Sequence, residues 1–322
     1  MEKLLVTQSP HIAHHDTSRG IMADVIIALL PLAVGGCFIF GWRSIFVILV
    51  SVITAVLAEY VFCKVMKRPN SIGDLSAVVT GLILALNMPP EIPVWIPAIG
   101  SVVAIVVVKQ MFGGIGHNFA NPAITARIVL LVSFPTAMST WTAPYGSSSE
   151  LISSATSPGE LITLTSATPL TETAMQGGYY SYLQLLMGQI PGSLGETFSL
   201  LIILGFIYMV LRRVITPVIP VAMVGTVAIC SALVGQDPLY MILSGGLLFG
   251  AVFMATDYVT IPTGWLGQLI YAVGCGIITF VIRYFGSLPE GISYAILLMN
   301  LLVPYINKVT IPKPFGWEES KQ

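Results

Sequence analysis

The sequence predicts an all-α polytopic membrane protein, with about ten transmembrane helices in two inverted five-helix repeats. Three observations carry that expectation: the scarcity of charge, the length of the apolar runs, and a likeness between the two halves. Charged residues make up 9% of the 322 residues and apolar residues 55%. A soluble chain carries about 25% charged residues, so water cannot be the main solvent of this surface. The net charge of −1 excludes a general nucleic-acid binder. A helix needs roughly 20 apolar residues to cross a bilayer, somewhat fewer if its ends lie in protein. Ten runs qualify: 21–40, 45–62, 75–86, 94–108, 122–134, 198–211, 218–234, 239–255, 269–284 and 292–306. Continuous runs of this kind exclude a β-barrel, whose strands alternate.

Basic residues set the expected orientation. With the N-terminus in the cytoplasm, Lys3, Arg19, Lys64, Lys67, Arg68, Lys109, Arg127, Arg212, Arg213, Lys308, Lys313 and Lys321 fall inside or at the inner boundary. Arg43 and Arg283 fall outside. The expected organisation is a cytoplasmic segment 1–20, a first repeat 21–134, an extracytoplasmic loop 135–197, a second repeat 198–306 and a cytoplasmic tail 307–322. Residues 1–20 lack the apolar core of a signal peptide. The loop holds no Lys or Arg and is rich in Ser and Thr, the composition of a flexible spacer. Cys37, Cys63, Cys230 and Cys275 are scattered among apolar runs without metal-site spacing, and read as inert thiols.

The repeat rests on matching landmarks. Leu75-Ser76-Ala77 answers Leu243-Ser244-Gly245, and the ends at Asn87-Met88-Pro89 and Thr256-Asp257 are both irregular. Lys109 stands three positions and Arg283 two positions before a Phe-Gly. An offset of five spans inverts the second half, and interrupted helices at matching places put a site near the midplane.

Several stretches then resemble the NqrB/RnfD family, in order and along nearly the whole chain. They are Ser9-Pro10-His11, Met22-Ala23-Asp24, Gly113-Gly114-Ile115-Gly116-His117-Asn118-Phe119-Ala120-Asn121-Pro122, and Pro191-Gly192-Ser193-Leu194-Gly195-Glu196-Thr197. Phe253-Met254-Ala255-Thr256-Asp257, Pro289-Glu290-Gly291 and Leu297-Leu298-Met299-Asn300 complete them. The chain begins close to Ser-Pro-His, where the quinone-reductase branch carries a longer extension, so the Rnf branch matches better. The resemblance implies a fold distantly like urea and ammonium carriers. It implies a membrane component of an ion-translocating ferredoxin:NAD oxidoreductase, coupling electron transfer to Na⁺ or H⁺ movement. The implied partners are the other Rnf subunits: the membrane proteins RnfA and RnfE, the flavoprotein RnfG, the iron–sulfur protein RnfB and the NADH-binding RnfC. A flavin transferase is implied for maturation. Alternatives are an NqrB-like part of a Na⁺-translocating NADH:quinone reductase, a small-solute channel, and a structural anchor.

Thr165-Ser166-Ala167-Thr168 resembles the family's flavinylation motif, which implies FMN held as a phosphoester on Thr168. Small neighbours at Ser166 and Ala167 leave room for the transferase, and Pro169 disfavours a helix at Thr168. The acidic residue often upstream of the motif is here Glu160, eight residues before Thr168. The resemblance also implies a second, non-covalent flavin, riboflavin in the quinone-reductase branch, on Asn118 and Asn121. Three-residue spacing on a helix turn would put both amides on one side. Asn121 before Pro122 equally reads as a helix N-cap.

Ionisable residues inside spans are candidates for an ion pathway. Asp257 leads, read either as an ion-path carboxylate or as a cap of a half-helix. Asp24 is the second candidate, or simply a carboxylate near a helix N-terminus. Glu59 reads as snorkelling toward Lys64. Arg127 is expected to meet Asp257 or a flavin. Arg283 is expected on the outer side beside the FMN loop. His117 reads as an interface residue, and His11, His14 and His15 as a solvated segment.

Overall fold

The computed structural model describes residues 17–142, 144, 169–170, 180–286 and 290–311. Thr165, Ser166, Ala167 and Thr168 lie outside them, as do His11, His14 and His15. Among the described residues the architecture is all-helical, without a strand. The first half holds α1 (Ser18–Phe40), α2 (Arg43–Val65), α3 (Ser76–Leu86), α4 (Trp95–Gln110), α5 (Pro122–Ser133) and the short α6 (Pro135–Ser139). The second holds α7 (Tyr182–Met187), α8 (Ser199–Leu211), α9 (Val218–Val234), α10 (Pro238–Leu243), α11 (Leu247–Phe249), α12 (Trp265–Phe285) and α13 (Ile292–Thr310). α11 runs on as a π-helix over Gly250–Met254, and α4 turns from α to π at Val103.

Four helices, α1, α2, α12 and α13, are long and apolar enough to cross a bilayer unaided. α3, α4, α5, α8 and α9 are shorter. Large apolar side chains such as Phe38, Leu211 and Leu233 stand exposed on outer helix faces. Such faces fit lipid rather than water, and the chain is a multi-pass membrane protein.

Local chemistry sets the helix ends. Thr17 Oγ1 accepts from Gly20 N at 3.1 Å and starts α1. Asn121 caps α5, with Pro122 at its first position. The eighth apolar run does not form one helix. It breaks between α10 and α11 at Ser244–Gly246, where Gly245 takes φ +64°. Inside lipid such breaks need partners, and Arg283 supplies two of them, at Met241 O and Ser244 O.

Small residues let the helices close. Ser51 Oγ donates to Gly81 O at 2.7 Å, and a Cβ on Gly81 would stand 2.9 Å from Val52 Cα. This is the close small-residue packing that replaces the hydrophobic effect between membrane helices. In the first half α2 packs on α3 and α4, and in the second α9 packs on α10 and α12. The segment before α8 folds back onto the end of α3, where Gly195 N donates to Leu86 O at 2.7 Å and Leu194 N to Met88 O at 3.1 Å. Any side chain at Gly195 would collide with Leu86.

Candidate functional site

At the end of the molecule where α1 begins, a cavity of about 390 Å³ opens between the two halves. That volume lies in the range of small-molecule sites. The starts of α1, α3 and α5 line it, with the end of α8 and the segment after α11. Asn118, Asn121 and Asp257 meet there, with Thr80, Phe253 and Tyr258. The expected helix turn is not what joins the two asparagines. α5 starts only at Pro122, so Asn118 belongs to the preceding loop.

The two amides also differ. Asn121 Oδ1 accepts from Ala123 N at 3.0 Å and Ile124 N at 3.3 Å, and its Nδ2 donates to Met254 O at 3.1 Å. Asn121 therefore caps α5 and ties it to the second half. Asn118 Oδ1 is buried and has no partner among the described residues. A buried unpaired acceptor calls for a donor from a ligand or water. A flavin ring edge, which both donates and accepts, fits that position.

Asp257 lies just past the π-helix, and its carboxylate accepts from Thr260 Oγ1 at 3.3 Å. Burial pushes this carboxyl up, while the Val259 backbone and the Thr260 hydroxyl oppose the shift. Asp24 is not among the residues lining the cavity. It is also too deep to serve the helix N-terminus, which Thr17 caps. Its carboxylate accepts from Tyr208 at 2.9 Å and pairs with Arg212 at 3.1 Å, joining α1 to α8.

Two further expectations are corrected. Glu59 does not reach toward Lys64, which lies over the Tyr60 ring. It is fully buried, and both its oxygens accept from Lys109 Nζ at 2.9 Å. Gln110 and Ser71 also donate to it, and Lys109 donates to Ser76 Oγ. A four-carbon stem carries the Lys109 ammonium back into the protein, where a carboxylate repays its desolvation. Arg127 does not meet Asp257. It is buried in the second turn of α5, donating to Asn87 Oδ1 at 3.2 Å and Ser293 Oγ at 2.9 Å, and it pairs with Glu290.

The opposite end is organised by Arg283, which is buried. Its guanidinium donates to Met241 O at 2.8 Å, Ser244 O at 3.3 Å and Glu290 O at 3.3 Å. Pro169 and Leu170 are fixed beside it. Tyr240 OH donates to Pro169 O at 3.2 Å, and Leu170 packs with Met241 and Phe280. A Cβ on Gly245 would stand 2.5 Å from Leu170 Cδ1 and 3.1 Å from Arg283 Nη2, so both residues border the same glycine. Thr168 itself is outside the described residues.

Glu196 and Glu290 had no assigned role in the sequence, although both stand in family-like stretches. Each is a lone acid in a Gly- and Pro-containing loop, and such loops usually lie in water. The acid between Gly195 and Thr197, in a segment with no basic residue, was the available signal.

The model of the NQR2, RnfD, RnfE family matches residues 5–316. The chain is 43% identical to the D subunit of the Na⁺-translocating ferredoxin:NAD⁺ oxidoreductase complex of Acetobacterium woodii, over 99% of this chain and 97% of that one. It is 42% identical to the D subunit of the proton-translocating ferredoxin:NAD⁺ oxidoreductase complex of Clostridium ljungdahlii, over 97% and 96%. It is 40% identical to the D subunit of the ion-translocating oxidoreductase complex of Stutzerimonas stutzeri, over 92% and 91%. On a match that runs from before α1 to beyond α13, this chain belongs to the NQR2, RnfD, RnfE family.

Proposed function

We propose that the chain is the D-type membrane component of an Rnf complex, carrying FMN on Thr168 and passing electrons between the ferredoxin and NAD sides while Na⁺ or H⁺ crosses the membrane. Near full-length similarity to proteins of that name supports the assignment to the complex. The observation that carries the flavin assignment is the anchoring of Pro169 and Leu170 beside Arg283. It sets Leu170, two residues after Thr168, against the same glycine that a buried cation borders. FMN, when bound, supplies the electron-carrying chemistry. The protein's part is placement and charge. Arg283 binds neutral carbonyls and the peptide oxygen of Glu290, so its positive charge is held in a low-dielectric place next to the loop. A phosphoester anion there is stabilised.

The cavity with Asn118, Asn121 and Asp257 is read as the second, non-covalent flavin site. By the positive-inside distribution it faces the cytoplasm, the two termini lie on that side, and the Arg283 end faces outward. The inverted repeat is supported by matched contacts: Lys109 reaches Ser76 in the first half, and Arg283 reaches Ser244 in the second. The four cysteines stand far apart, and no dinucleotide fingerprint occurs in the sequence. Ferredoxin and NAD chemistry therefore falls to partner proteins, read as RnfA, RnfB, RnfC, RnfE and RnfG, with a flavin transferase for maturation.

The test is the intact mass of the purified protein, wild type against Thr168→Val, each expressed with a flavin transferase. The near-isosteric valine keeps insertion and loses the flavin mass. A flavin mass retained on the variant refutes the assignment.

A further inference from the structure

A buried carboxyl group and a mostly buried one meet at the outward end, and their hydrogen bonds do not close. Glu196 lies in the segment between α7 and α8 and is 4% exposed. Its Oε1 accepts from Ser193 N at 2.9 Å. Glu290 stands just ahead of α13, and its Oε2 accepts from Arg127. Each carboxyl has one oxygen left over. Glu196 Oε2 and Glu290 Oε1 are both buried with no partner among the described residues. The two side chains are within hydrogen-bonding reach of each other. Two carboxylates in contact repel, and neither can donate. One hydrogen removes both faults: a hydroxyl on Glu196 Oε2 donates to Glu290 Oε1.

We propose that Glu196 and Glu290 hold one exchangeable proton between them, forming a proton-binding site set on the ion pair with Arg127. Glu196 is the protonated member, because Glu290 already faces Arg127 and keeps its negative charge. Burial, then the charge of Glu290, pushes the Glu196 carboxyl up, and Arg127 opposes this. Arg283 is the other charge acting on the pair, from α12. A cavity of about 430 Å³ lined by Arg127, Glu290 and Ser293 adjoins the site. Proton uptake from water turns the Glu196 carboxylate into a carboxylic acid, and no electron moves. Release leaves two facing anions with Arg127 between the halves, which weakens the α5–α13 contact. The inference deepens the proposed ion-translocating role, on which it rests only for its meaning in turnover.

The test is infrared difference spectroscopy on the purified complex across pH, in H₂O and D₂O. Wild type shows a protonated-carboxyl band at neutral pH that shifts in D₂O. Glu196→Gln removes it, with the amide donating to Glu290 in place of the acid. In Glu290→Gln the like charge is gone and the Glu196 band titrates at lower pH. That variant carries the test if Glu196→Gln does not assemble. A band unchanged in Glu196→Gln, or titrating unchanged in Glu290→Gln, overturns the proposal. So does a band lost when potassium salts are replaced by sodium salts, which would assign the oxygens to a metal cation. Covalent flavin is measured on the same samples. Its absence from wild type defeats the flavin reading and leaves the proton band as evidence for this one.

Discussion

Lys109→Met removes the cation from a carboxylate that has no water. Glu59 is 0% exposed and Lys109 2%, with Nζ 2.9 Å from both carboxylate oxygens. Breaking a buried pair by deleting one partner costs about 3–5 kcal/mol, because the other charge stays buried. At about 1.4 kcal/mol per tenfold, the unfolding equilibrium shifts roughly a hundredfold to several thousandfold. Met matches the length of the Lys stem, so packing changes little. The double variant Glu59→Leu/Lys109→Met removes both charges. An apolar replacement of a buried pair is often neutral. Here Gln110 and Ser71 lose the carboxylate they donate to and Ser76 loses one donor, at about 1 kcal/mol each. The double variant is therefore expected to be less damaged than the Lys109→Met single. The assay is reversible unfolding in mixed micelles, read for wild type, both singles and the double. A Lys109→Met variant within about 1 kcal/mol of wild type, or a double variant equal to the sum of the singles, would refute the buried-pair argument.

Two predictions concern the cavity at the α1 end. Asn118→Leu is expected to abolish a non-covalently bound flavin and leave the covalent one and the fold intact; an unchanged flavin content after extraction counts against the site. Asn118 is the informative position, since Asn121 spends its amide on capping α5. Asp257→Asn is expected to retain both flavins and impair ion-coupled electron transfer in vesicles. Full coupled turnover in that variant would leave Asp257 as a local partner of Thr260.

Most of the helices were legible from the sequence, for a simple reason. In a bilayer every backbone group must be satisfied within its own segment. An apolar run is thus nearly equivalent to a helix. The run 218–234 is the clearest case, matching α9 at both ends. The run 239–255 shows where this fails. Its break at Gly245 depends on Arg283, some forty residues away, offering donors to the freed carbonyls. No local pattern encodes that. Asn121-Pro122 was legible as a cap because capping is decided within four residues.

Side-chain pairing was not legible, because it is set by which helices touch. The sequence determined an all-helical membrane chain, its family and the identity of its charged residues. Only the tertiary structure decided their partners. Charge near Glu59 in sequence pointed to Lys64, one helix turn away. Packing of α2 on α4 chose Lys109 instead, because a buried carboxylate takes the cation that is buried with it. Arg127 likewise found Glu290 across the interface between α5 and α13 rather than Asp257. In a medium of low dielectric an unpaired charge is so costly that the fold must bring its partner from wherever the chain holds one.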